Sequence, residues 1–219
     1  RDSSGETSTV GPAPRPRTSL ADYGAALRES DTLWLSFLYS LTFGGFVGLA
    51  SFLTTFFHEQ YQVSRVVAGD FTTLVVVAGS FLRPVGGWLS DRFFGKYHTI
   101  FWLSLLYCVG HACLAMFEGN RTGFYTGLFL IALGSGGIKP LVSSFVGDQF
   151  NQSNKHLAKI VYDAFYWTIN FGSFFASLLM PIFLREHGAA IAFGIPGILM
   201  FIATIIFWMG RAKYVNMPP

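Results

Sequence analysis

Six stretches of nearly unbroken apolar sequence follow one another, at about 33–57, 66–90, 98–117, 123–147, 162–184 and 189–210. Each is about 20–25 residues long, enough at about 1.5 Å of helical rise per residue to cross roughly 30 Å of hydrocarbon. Strands of a membrane barrel would alternate apolar and polar positions over about ten residues, and these stretches do not. The interruptions HEQYQVSR, DRFFGKY, EGNRTG, DQFNQSNKHLAK and REHG carry turn and charge signals. The pattern predicts an all-α membrane protein, a six-helix bundle. Residues 1–31 read differently. RDSSGETSTVGPAPRPRTS is rich in Ser, Pro, Gly and Thr and is expected to be a disordered linker. A short polar helix is expected around Leu20–Arg28. A chain that begins with Arg1 rather than Met is expected to be a fragment or an internal piece, and its polar start holds no cleavable signal peptide.

Composition agrees with the pattern. The chain has 219 residues, 52% hydrophobic and 17% aromatic, and only 12% are charged; a soluble domain carries about 25%. Its mean hydropathy is +0.46. These figures exclude a soluble globule, a disordered chain, a collagen-like chain and a disulfide-rich secreted domain. Cys108 and Cys113 are five apart in an apolar run, so on a helix they point to different faces and do not bridge. The net charge of +3 is scattered among apolar runs, which gives no nucleic-acid surface.

Lys and Arg set the expected orientation. With the N-terminal tail in the cytosol, the inside holds Arg1, Arg15, Arg17, Arg28, Arg92, Lys96, Lys155, Lys159, Arg211 and Lys213. The outside holds Arg65, Arg121 and Arg185. The expectation is a multi-pass protein of the plasma or inner membrane with both termini cytosolic. Arg83 and Lys139 are the two basic residues left inside spans. Arg83 lies about 12 Å of helical rise from Asp91, and Lys139 about 13–14 Å from Asp148 on the same side. Both are expected close to the midplane, where a charge needs a partner or a polar cavity. Pro84 and Pro140 follow them, and each frees a backbone carbonyl. Kinked helices with midplane charge are how transporters build substrate sites. Asp70 is about 20 Å from Arg83 and Asp163 lies near the inner start of the fifth span, so an anionic group on the substrate, or another segment, is expected to serve both cations.

Weaker signals follow. Asn170 in AFYWTINFGSF binds substrate or joins a helix–helix hydrogen bond. His111 is a proton relay or, more commonly for a lone histidine, satisfied locally. Gly44 and Gly48, four apart, favour close helix contact, and Phe43 and Phe46 beside them flank a substrate or pack. The five histidines are scattered, and no nucleophile–base cluster or metal spacing appears, so no enzyme, metal or cofactor is expected.

The loop GGWLSDRFFGKYHT places Asp91 and Arg92 between Gly87 and Gly95, with Lys96 directly after. A tight turn with charges of both signs locks two helix ends and releases them when a bundle rocks, which makes these five residues a candidate conformational switch.

This loop resembles the one between the second and third helices of the major facilitator superfamily. Residues 92–219, through DRFFGKYHTI, GSGGIKPLVSSFVGDQF, FYWTINFGSFFASLLMP and AFGIPGILM, are similar to the proton-coupled oligopeptide transporters. That resemblance implies that Lys139 is the fourth-helix lysine of substrate and proton coupling and that Asn170 lies in the peptide cavity. Residues 31–92, through WLSFLYSLTFGGFVGLASFLTTFF and VVAGDFTTLVVVAGSFLRPVGGWLSDR, resemble the nitrate/nitrite porters, as if opening that family's second half. This implies that Arg83 binds an anion and that Phe43 or Phe46 flanks it.

The expected domains are therefore a linker at 1–31, a nitrate-porter-like helix pair at 32–92 and four oligopeptide-transporter-like helices at 93–219. Oligopeptide transporters carry a Glu-x-x-Glu-Arg motif in their first helix; here no charge lies between Trp34 and Phe57. The expected function is proton-coupled oligopeptide symport by half of a transporter, with a second six-helix bundle as partner. The alternatives are nitrate/nitrite transport and a non-transporting truncated or chimeric membrane protein.

Overall fold

The computed structural model describes residues 30–150 and 157–215. Residues 1–29 of the expected linker, the helix expected at Leu20–Arg28, and Arg1, Arg15, Arg17, Arg28 and Lys155 lie outside the described residues, while Ser30 and Asp31, expected in the linker, already belong to the first helix. Among the described residues seven α-helices run in order: α1 (Ser30–Tyr61), α2 (Arg65–Phe81), α3 (Arg83–Leu89), α4 (Gly95–Met116), α5 (Arg121–Asp148), α6 (Ala158–His187) and α7 (Ala189–Met209). They make six crossings, because α2 and α3 share one. Five uninterrupted helical stretches are long and apolar enough to span a bilayer, and one of them, Arg65–Met116, is 52 residues long. At about 1.5 Å per residue that is more than twice a bilayer's depth. It folds back at a π-helical turn, Ser90–Phe94, and at Gly95, whose φ of 71° an L side chain rarely adopts.

The connections follow from local chemistry. Gln62 with φ 55° ends α1, and the Ser64 hydroxyl accepts from the Val67 amide at 3.3 Å to begin α2. Asn120 caps α5 by accepting from the amides of Thr122 and Gly123 at 3.0 and 3.3 Å. Gly188, φ 82°, lets α6 reverse into α7. The second span differs from expectation. Leu82 separates α2 from α3, and Pro84 stands in the first turn of α3, where its missing N–H costs nothing. Pro140 does not interrupt: α5 runs unbroken through it.

Small residues let the helices approach, since apolar side chains alone gain little by leaving lipid for protein. On α1, Ser40, Gly44 and Gly48 form one stripe against Thr168, Gly172 and Ala176 of α6. A Cβ added at Gly44 would lie 2.9 Å from the Gly172 backbone, and one at Gly48 would lie 2.9 Å from the Ala176 Cβ. The Ser40 hydroxyl donates to the Thr168 carbonyl at 3.1 Å across the same seam. Close contact is thus the role of these glycines. His111 is buried and its Nδ1 meets the Phe193 carbonyl at 2.9 Å, while its Nε2 has no hydrogen-bond partner among the described residues, so the ring is only half satisfied. Helices α1 and α5 are central: α1 packs on α2, α5, α6 and α7, and α5 packs on α1 to α4.

The loop geometry corrects the sequence reading in two ways. Gly95 makes the turn, but Gly87 lies inside α3 facing open space; Gly86 beside it is the residue seated on Gly137 of α5. The loop's charges are not locked to one another either. Lys96 Nζ pairs with Asp148 Oδ2 at 2.6 Å, tying the start of α4 to the end of α5. Asp91 and Arg92 are exposed, and neither forms an ion pair among the described residues.

Candidate substrate site and switch turn

The three residues Phe43, Phe46 and Lys139 converge. The phenylalanines are three apart on α1, so they share a face, and α5 presents Lys139 to that face. The lysine is only 6% exposed. Its Nζ stands 4.0 Å from the Phe46 ring centre and 4.9 Å from that of Phe43. Both distances are within reach of a cation–π attraction. No carboxylate pairs with Lys139 among the described residues. Arg83, exposed at the start of α3, is close enough to act electrostatically on Lys139 and on Tyr39. The two intramembrane cations thus act on one another through space, Arg83 from α3 and Lys139 from α5.

Asn170 lies beside this group, on α6. Together with Phe43 it lines a cleft of about 160 Å³ that also has Tyr39, Tyr162, Phe165 and Tyr166 on its walls. The Asn170 side-chain N–H donates to the Tyr166 carbonyl at 2.7 Å, which turns its amide oxygen outward as an acceptor. The Tyr162 hydroxyl donates to the Ser143 carbonyl at 3.0 Å, bridging α6 to α5. Tyr39 stacks on Phe165 with ring centres 5.4 Å apart, bridging α1 to α6. The walls thus carry aromatic faces for an apolar group and hydroxyl and amide groups for hydrogen bonds, and Phe43 on one wall is the ring that also faces Lys139.

The tyrosines were not singled out in the sequence, though a signal exists. Tyr162, Tyr166 and Asn170 are spaced by four on α6, and Tyr39 precedes Phe43 by four on α1, so each set shares a helix face. Asp148 was missed as well; 52 residues separate it from Lys96 and no local pattern joins them. Likewise, the Gln149 side chain accepts from the Val215 amide at 2.9 Å and donates to the Val215 carbonyl at 3.2 Å, holding the exit of α7 to the end of α5. The described residues hold no cluster of three metal-ligating side chains.

Comparison with known proteins locates this arrangement. Residues 97–219 match the model of the POT family. Peptide transporter 3 of Caenorhabditis elegans is 33% identical over 189 residues, covering 80% of this chain and 27% of its own length. Solute carrier family 15 member 2 of Mus musculus is 34% identical over 192 residues, covering 80% and 26%. Such coverage exceeds what residues 93–219 hold, so the similarity reaches into the first two crossings. The POT family transporter PepTSo, crystallised in meso, superposes with a TM-score of 0.80 at 55% identity, over 86% of this chain and 38% of that one. The peptide transporter POT in complex with sulfate gives 0.77 at 26% identity, over 84% and 38%. The chain spans about a quarter of the length of the curated relatives it matches. Its fold is half of a major facilitator superfamily transporter.

Proposed function

The chain belongs to the POT family, and from that premise we propose that it is one bundle of a proton-coupled oligopeptide symporter working by alternating access, and not an enzyme. One observation carries the reading. Lys139 is buried against Phe43 and Phe46, Phe43 also lines an aromatic cleft, and no carboxylate among the described residues pairs with the lysine. A di- or tripeptide supplies what is missing. Its carboxylate faces Lys139 and Arg83, its amide groups meet Asn170 and the tyrosine hydroxyls, and its side chain lies on the aromatic walls.

The remaining parts follow from that role. A second six-helix bundle closes the path, since alternating access rocks one bundle against another. The ten-to-three division of basic residues supports an orientation with both termini in the cytosol. The turn carrying Asp91, Arg92, Gly95 and Lys96 is then the cytosolic switch, with the Lys96–Asp148 pair as the contact that breaks and re-forms.

A second reading is nitrate or nitrite transport, the chain being a hybrid whose join falls at residues 92–93, in the π-helical turn. Arg83 beside Lys139 with phenyl rings close by favours it, because a small planar anion fits that geometry. Uptake by proteoliposomes carrying the chain separates the readings. Under an inward proton gradient, labelled dialanine accumulates and nitrate does not. Nitrate uptake alone would establish the second reading, and silence for both would mark a non-transporting truncated or chimeric chain.

A further inference from the structure

We propose that Phe46 is a latch on Lys139: its ring competes with a ligand's anionic group for the ammonium and so sets the affinity of the site for anions. The inference rests on the peptide reading above and assigns Phe46 a positioning role within it.

Three helices build the latch. Phe46 comes from α1 and is 7% exposed. Its ring lies over Lys139 Nζ at 4.0 Å on one side. Its edge meets α2 on the other, where a Cβ added at Gly79 would lie 3.0 Å from the Phe46 Cζ. Gly136 of α5 is in turn seated on the Gly79 backbone. The ring is thus wedged between the Gly79 backbone and an ammonium whose other ring contact, Phe43, is more distant. Among the described residues no carboxylate pairs with the ammonium: α1 has no charge between Trp34 and Phe57, and Asp148 at the end of α5 is taken by Lys96. Arg83, four residues beyond Gly79, only repels the ammonium.

An ammonium over one desolvated ring gains the equivalent of about two- to thirtyfold in an equilibrium constant. An incoming carboxylate must replace that attraction, and a neutral ligand has nothing with which to do so. Phe46 therefore discriminates by charge, and the effect is specific to the ring's quadrupole. Leucine keeps apolar volume at this position and removes the quadrupole. Phe43, farther from the ammonium at 4.9 Å, acts in the same sense but less.

The test uses the purified full chain, with dialanine and the uncharged-end analogue dialanine amide as calorimetric probes. Phe46→Leu should bind dialanine about tenfold more tightly than wild type while its affinity for the amide stays unchanged; Phe43→Leu should show a smaller gain. A ligand-free thermal double-mutant cycle of Phe46→Leu with Lys139→Met should be non-additive. Weaker dialanine binding by Phe46→Leu, an equal shift for both probes, or an additive cycle would overturn the latch. Failure of every variant, wild type included, to bind dialanine would overturn the peptide reading and the latch's effect on affinity with it. Binding that is unchanged by Phe46→Leu overturns the latch alone.

Discussion

Lys139 concentrates the chemistry of the molecule. A cation at this depth is costly in lipid, so its presence was a legible signal of function, but its company with Phe43 and Phe46 was not. The sequence did not reveal how they meet. The rings lie nearly a hundred residues upstream, and only the packing of α1 on α5 brings them over the ammonium. Asn170 was legible as a polar residue in an apolar run, but its neighbours Tyr39 and Tyr162 were not, because tyrosines in membrane helices pack as often as they bind. Lys139→Ala should lower dipeptide uptake by about 100-fold or more, the scale of removing one partner of a buried charge contact. Membrane insertion should be spared, since the change removes a charge from the bilayer. Uptake and carbonate-resistant membrane fractions measured side by side check both halves, and full uptake by the variant would refute the placement of Lys139 in the site.

At the scale of elements, the helix limits follow expectation within a few residues, since bilayer thickness fixes the length of each apolar run. The break at Leu82 was hidden because Pro84 permits a kink or a helix start, and the sequence does not choose between them. The switch turn was legible as charged and glycine-bearing, but its ion pair was not, since Asp148 lies on another helix. Two predictions belong here. Gly44→Leu and Gly172→Leu each drive a side chain into the α1–α6 seam, where a single Cβ already meets backbone at 2.9 Å in the case of Gly44. Each should cost at least about 1–3 kcal/mol, read as a fall in the thermal midpoint in detergent. Lys96→Met should lower stability modestly, by about 1 kcal/mol or less, because the pair is part-exposed. The exchange Lys96→Asp with Asp148→Lys should recover the loss, and a midpoint that stays low after the exchange would show that the pair does not hold α4 to α5.

At the scale of the whole molecule, the low charge fraction identifies a membrane bundle, and the few remaining charges divide into topology signals and a site. Helix α6 carries a long exposed aromatic face, with Tyr166, Trp167, Phe171 and Phe174 outward and Asp163 and Asn170 among them. That mixture suits a protein neighbour better than lipid and agrees with a bundle that works beside a second one. The central claim is that the cleft between α1, α5 and α6 holds a peptide by its carboxylate. Photo-crosslinking tests it most directly. A dipeptide carrying a diazirine side chain is bound to the purified chain, irradiated, and its attachment sites are read by mass spectrometry. Labels should fall on Tyr39, Phe165, Tyr166 and Asn170, should be displaced by dialanine, and should vanish in Lys139→Ala. Labelling confined to other surfaces, or cleft labelling undiminished in Lys139→Ala, would contradict the account.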